Sequence, residues 1–197
     1  MRASGIVGLA VALKRRQLPG NGFVPTLGGM EDVRIRHCAP GDYGSIVAIY
    51  NYYIENSHVT FDTRPYSIGE RVPWFAQFGD SGAHQLLVAE SGASILGYCC
   101  SSPFNKRPAY AVSVETSVYL SAEVTGKGIG RQLYAELLEN LDGIGLHGAY
   151  AGVSLPNNAS VKLHEALGFR KVGVYEEVGH KFDKYWSVAW YERRLRD

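Results

Sequence analysis

Three glycines at alternate positions, Gly126, Gly128 and Gly130, divide two segments of opposite character. Before them, residues 110–120 have the β-branched and aromatic content of a strand. After them, Leu133, Leu137, Leu138 and Leu141 recur on one face of a helix that starts near Gly128 and ends at Gly143-Ile144-Gly145. Residues 149–155 return to a strand pattern. Strand, tight turn, amphipathic helix and strand make a crossover, which joins parallel neighbours with a right hand. That unit restricts the chain to mixed α/β architectures.

Antiparallel pieces flank the crossover. Residues 33–38 alternate as a strand, and Asp42 is placed to cap a helix carrying Ile46, Val47, Ile49 and Tyr50. Ser67 is placed to cap a second helix carrying Val72, Trp74, Phe75 and Phe78. Residues 85–90 and 95–101 form strands joined by the turn Ser91-Gly92-Ala93, and residues 103–108 form a loop. A short helix over 157–167 stops at Gly168, and residues 169–178 and 185–191 supply two closing strands. The expectation is an α/β (α+β) fold with a mixed central sheet, antiparallel N-terminal strands and one parallel crossover.

A chain of 197 residues suits one domain with a buried core. A formal net charge of +1 gives no basic field for nucleic acid, and no apolar run is long enough for a membrane, so neither is expected as a partner. The 3 cysteines, Cys38, Cys99 and Cys100, read as reduced thiols of a cytoplasmic protein; Cys99 and Cys100 point to opposite faces of a strand. No Cys/His spacing suggests a metal. Residues 1–29 contain no acid and place Lys14-Arg15-Arg16 after a short apolar run. They read as a disordered or non-native extension before a domain over 30–197 rather than as a signal peptide.

The glycine turn is the first candidate site. Glycine permits positive φ and close ligand approach, and the first amides of the following helix lack internal partners. With the helix dipole these amides suit a phosphate, and Lys127 and Arg131 add charge. The spacing is neither the G-x-G-x-x-G fingerprint nor a Walker turn. Taken alone, the segment reads equally as a plain tight loop.

In context the turn resembles the pyrophosphate loop of the GNAT acetyltransferases, Q/R-x-x-G-x-G/A. Thr125-Gly126-Lys127-Gly128-Ile129-Gly130 matches at Gly128 and Gly130 and departs at Thr125. From Val33 to Leu195 the chain resembles the phosphinothricin and methionine sulfoximine acetyltransferase branch. The matching motifs are Thr60-Phe61-Asp62-Thr63, Val114-Glu115-Thr116-Ser117-Val118-Tyr119 and the run from Leu155-Pro156-Asn157 through His164 to Gly168-Phe169. The resemblance implies the GNAT fold, acetyl-CoA as co-substrate, no metal, a small amine acceptor and a homodimer. It places pyrophosphate on Thr125, Gly126, Lys127, Gly128, Ile129, Gly130 and Arg131. It places the pantetheine arm along Ser117, Val118, Tyr119 and Leu120 and beside Asn157, which also reads as a plain N-cap.

Glu115 lies inside an otherwise apolar and hydroxylic strand, where an acid needs a reason. It reads either as a general base, the role that the resemblance gives it, or as an ion-paired or solvent-facing acid. His164 follows Asn157 by two helical turns on one face and stands where many GNAT enzymes carry Tyr; it reads as a general acid or as a group that orders the site. By resemblance, Arg107 and Tyr110 face the acceptor, while Asn105 stands where some relatives carry Lys. Phe61, Thr63 and Trp74 read as pocket wall or as core. Lys181 and Trp186 receive no role. The favoured reaction is direct attack of the amine in a ternary complex. The alternatives are protein or peptide acetylation, a non-catalytic CoA-binding sensor, and a covalent route through Cys99 or Cys100.

Overall fold

The computed structural model describes residues 33–196 and the backbone of Leu9–Ala10. The remainder of the extension expected over 1–29 lies outside the described residues. Leu9–Ala10 form β1, which pairs in parallel with Val118 and Tyr119.

The crossover consists of β5 (Ser113–Leu120), α3 (Ile129–Leu141) and β6 (Gly148–Ser154), with β5 and β6 parallel. β5 starts later than residue 110 because Pro108–Tyr110 coil into a 3-10 turn, with proline at its first position. On one side lie β2 (Arg34–His37), β3 (Leu86–Ser91) and β4 (Ser94–Pro103); on the other, β7 (Arg170–Lys181) and β8 (Lys184–Arg194). The sheet order is β2-β3-β4-β5-β6-β8-β7, and along that path only β5–β6 is parallel. The helices α1 (Tyr43–Asn56) and α2 (Ile68–Phe75) precede β3, and α4 (Asn158–Ala166) follows β6.

Strand alternation separates two cores. Leu87, Ala89, Cys99, Val114 and Val118 pack with Leu133, Leu137, Leu138 and Leu141 of α3. Leu86, Val88, Tyr98, Cys100 and Tyr119 pack with Ile46, Tyr50, Tyr53 and Ile54 of α1 and Phe75 of α2. Each fully buried leucine contributes about 2 kcal/mol of transfer free energy. Cys99 and Cys100 therefore sit in different cores, as the period of two requires.

Two details of the helices differ from expectation. Asp42 stands at the N-cap of α1 but makes no side-chain cap bond. Its carboxylate instead accepts from the Ala39 amide at 2.7 Å and pairs with Arg36 at 2.6 Å, because a 3-10 turn over Pro40–Asp42 intervenes. Ser67 does cap α2, in a reciprocal box with Glu70. On that helix, however, Val72 is exposed and Arg71 takes the inward position.

Candidate active site

β5 and β6 pair only at Ser113–Gly148, Val114–Ala149 and Glu115–Tyr150, although both strands continue. Past Glu115 they diverge, which leaves the main chain of Thr116–Leu120 without a β6 partner. An open strand edge accepts an extended ligand through its amides and carbonyls. Ser117, Val118, Tyr119 and Leu120 line this lane. Leu9–Ala10 enter it in parallel at Val118 and Tyr119. The Leu120 carbonyl accepts the Tyr53 hydroxyl at 2.7 Å, which fixes the far end of β5 to α1.

The glycine turn opens at that end of the lane. Gly126 and Gly128 have φ of 79° and 82°, and Gly128 is the N-cap of α3. An L side chain at either position would be strained. Ile129 and Gly130 begin the helix, so their amides have no intrahelical acceptor. Gly130 lies against Leu120, where an added Cβ would come within 3.1 Å of the leucine side chain, so helix and strand approach closely. Thr125 turns back on itself, its hydroxyl donating to the Ala122 carbonyl at 3.4 Å. Lys127 and Arg131 are exposed beside the turn. The donor set of amides and two cations fits a diphosphate.

Glu115 is buried at 5% exposure on the α1–α2 side of β5, together with Ser117 and Tyr119. Burial alone pushes its carboxyl up to about 8. No charged or hydrogen-bonding partner among the described residues offsets that cost, so no ion pair of Glu115 is found there. Such an acid exchanges protons near neutral pH.

His164 lies on the opposite side of β5, fully buried, with Tyr134 between it and the strand. Its Nδ1 donates to the Ser160 carbonyl at 2.8 Å, and burial holds the ring near 4. The imidazole is therefore neutral, with Nε2 as an acceptor. Tyr134 Oη is 3.4 Å from that nitrogen and 2.5 Å from Thr116 Oγ1, which also lies 3.2 Å from the Tyr150 carbonyl. Asn157 caps α4, its side chain accepting from the Ser160 amide at 3.1 Å.

The proposed acceptor residues divide. Trp74 packs edge-on to Phe75 and Phe78 on the Glu115 side of the sheet. Phe61 packs against the Gly179 backbone. Thr63 and Arg107 are exposed, and Tyr110 is 38% exposed at the end of a 3-10 turn, 5.8 Å from Phe104. Two residues without an assigned role fasten the outer hairpin to the segment before Phe61. Lys181 Nζ donates to the carbonyls of Ser57 and Thr60, and Trp186 stacks on His58 at 3.9 Å while donating to the Lys181 carbonyl. Tyr50, Thr60 and Asp62 form a chain in which the Tyr50 hydroxyl lies 2.7 Å from Thr60 Oγ1 and 2.6 Å from Asp62. Arg71 was missed by hydropathy, yet with Trp74 and Phe75 it completes an i, i+3, i+4 face of α2, and Phe78 follows just past the helix end. A single arginine on an otherwise apolar helix face was the available signal.

Cys99 and Cys100 are buried, and burial pushes both thiols up, Cys100 to about 12. Almost no thiolate exists there. Among the described residues no group of three or more His, Cys, Asp or Glu is arranged to hold a metal, and no helix is long and apolar enough to cross a membrane.

The chain is similar to several named acetyltransferases. The chain is 47% identical over 169 residues to a phosphinothricin N-acetyltransferase of Streptomyces coelicolor, covering 85% of this chain and 99% of that protein. It is 30% identical to an L-methionine sulfoximine/L-methionine sulfone acetyltransferase of Pseudomonas aeruginosa, over 82% of this chain and 94% of the relative. The crystal structure of a GNAT superfamily phosphinothricin acetyltransferase from Sinorhizobium meliloti in complex with AcCoA superposes with a TM-score of 0.79 at 32% identity, covering 83% and 89% of the two chains. Residues 46–169 match the Acetyltransferase (GNAT) family, and with the lane, the glycine turn and the buried acid in place, the chain belongs to that family of N-acetyltransferases.

Proposed function

We propose that this enzyme moves the acetyl group of acetyl-CoA to the amine of a small amino-acid-like acceptor, of the phosphinothricin, methionine sulfoximine or methionine sulfone kind, by direct attack in a ternary complex. The observation that carries the reading is Glu115, a buried carboxyl with a pKa of about 8 where β5 parts from β6. The named activities of the relatives support the acceptor class.

Acetyl-CoA supplies the acetyl group as a thioester. Its diphosphate is assigned to the amides of the turn over Thr125–Arg131, with Lys127 and Arg131, and its pantetheine arm to the β5 edge from Ser117 to Leu120 and to Asn157. A β5 amide facing the lane polarises the thioester carbonyl. Glu115, ionised, takes the proton of the acceptor ammonium and leaves the amine free to attack the thioester carbon; as the N–C bond forms the C–S bond breaks, and CoA departs as a thiolate that takes up the second proton lost by the nitrogen. His164 is given the ordering role: a neutral ring donating from Nδ1 offers no proton at Nε2, so it holds Tyr134. Phe61 and Trp74 are assigned to the acceptor wall, with Thr63, Arg107 and Tyr110 at its rim. The covalent route is disfavoured by the raised thiols, and Glu115 favours catalysis over a sensor role.

The exposed apolar residues Val172, Tyr175, Val178 and Tyr185 on the outer hairpin support a homodimer. Three free cysteines support a reducing, cytoplasmic setting.

Thiol release from acetyl-CoA, measured with methionine sulfoximine, methionine sulfone, phosphinothricin and short peptides, tests the acceptor. Turnover of the amino-acid analogues is expected. Turnover of peptides alone overturns the reading.

A further inference from the structure

Arg71 is 8% exposed, yet it forms no ion pair and donates no hydrogen bond to any described residue. Three rings hold it instead: its guanidinium carbon is 4.1 Å from the Trp74 ring centroid, 5.0 Å from Tyr50 and 5.1 Å from Tyr66. Rings satisfy the flat faces of a guanidinium and leave its N–H edge unused. The nearby carboxylate Asp62 shares Tyr50 as a neighbour, but it accepts the Tyr50 hydroxyl and makes no ion pair with Arg71. A buried cation left in this state is costly unless an anion arrives to complete it.

The position of Arg71 defines that anion. Its helix packs on the Glu115 side of the sheet, through Phe75. Cys100 and Ser117, paired across β4 and β5, lie next to Glu115 on that face. Burial is the main cause that raises the Cys100 thiol; Arg71 lowers it and Glu115, when ionised, raises it further, so both lie near that thiol. Two buried cations are found among the described residues, Arg71 and Lys181, and Lys181 is committed to the carbonyls of Ser57 and Thr60. Arg71 alone keeps a planar pair of donors, the geometry that matches a carboxylate in bidentate fashion.

We propose that Arg71 binds the α-carboxylate of the acceptor, so that the enzyme selects amino acids over simple amines. This rests on the small amino-acid acceptor reading above. The aromatic cage holds the guanidinium rigid before binding, and the acceptor carboxylate completes it while the amine meets Glu115. The exposed Arg107 is then left to the distal end of the acceptor.

The test compares L-methionine sulfone with its decarboxylated counterpart, 3-(methylsulfonyl)propan-1-amine, in the wild type, Arg71→Met and Arg71→Lys. The readouts are kcat and KM for the acid and turnover or competitive Ki for the amine, with the melting temperature and acetyl-CoA affinity as controls. Arg71→Met is expected to lose about 100-fold in kcat/KM for the acid, mainly through KM. Its Ki for the amine is expected to change by no more than about threefold. Arg71→Lys keeps the charge but not the fork and falls between. Equal losses on both compounds, or none on either, overturn the assignment and leave Arg71 a structural cation. Should Arg71→Met fail to fold, the same comparison in Arg71→Lys decides. A wild type that turns over none of the amino-acid analogues overturns the acceptor reading and this assignment with it. A wild type active on methionine sulfone, with an Arg71 variant that keeps the acid-to-amine ratio, overturns only the assignment.

Discussion

Lys181 Nζ donates to the Thr60 carbonyl at 2.8 Å across a sequence separation of 121 residues. A second bond of 2.8 Å to the Ser57 carbonyl closes the end of α1. The tip of the outer hairpin is thereby fastened to the loop that carries Phe61. Lys181→Met should cost about 3 kcal/mol, because two buried carbonyls lose a charged donor. Urea unfolding checks this, and a loss below about 0.5 kcal/mol would show that the hairpin docks without the lysine.

Glu115→Gln keeps the shape of the side chain and removes its basicity. The expected result is a kcat at least about 100-fold lower. Calorimetry should find acetyl-CoA affinity within about twofold of wild type. At saturating substrates the wild-type rate should rise with pH and level off above about 8, since only the ionised carboxylate accepts a proton. A pH-independent rate would remove Glu115 from the base role.

The same carboxyl links stability to pH. Its pKa is raised from 4.5 to about 8 in the folded protein. Between those values the folded state holds a proton that the unfolded state has released, so stability falls as pH rises. The contribution is fully present below 4.5 and lost through about 8. Glu115→Gln lacks this slope, so its melting temperature should overtake that of the wild type as pH climbs, and parallel melting curves across this range would contradict the burial cost.

The turn offers a contrast between two neighbouring positions. Gly128→Ala forces a Cβ onto a residue with φ of 82°. It should cost about 1 kcal/mol in stability and weaken acetyl-CoA binding by about tenfold. Thr125→Ala removes only a hydroxyl bonded within its own turn, and affinity should stay within about twofold. Titrations of both variants with acetyl-CoA distinguish amide recognition from side-chain recognition.

Periodicity located the crossover and the two faces of the sheet because alternation and leucine spacing report burial directly. It failed where burial was not hydrophobic. In α2 the pattern marked Val72 as inward, whereas the buried residue one place earlier is Arg71, tolerated by its aromatic cage. Similarly, the outer hairpin runs closer to its turn than expected. Phe182 and Asp183 both adopt positive φ, at 54° and 57°, in a two-residue connection without the usual Asn-Gly signal. Glu115 was legible as an acid out of place; its partnerless burial was not, because partners come from elements distant in sequence. The neutral state of His164 likewise depends on burial by distant elements, Tyr134, Phe169 and Tyr191 among them, which outweighs the Ser160 carbonyl that favours the charged ring.

The divergence of β5 from β6 makes a slot that meets its occupant through main-chain polar groups alone. Such a slot is blind to side chains and admits any slender extended molecule, a peptide as readily as a pantetheine. Leu9–Ala10 already lie in it. If the slot takes the pantetheine arm as proposed, fidelity toward the donor has to be enforced elsewhere, at the glycine turn, and the slot would act as a ruler that sets how far the thioester reaches toward Glu115.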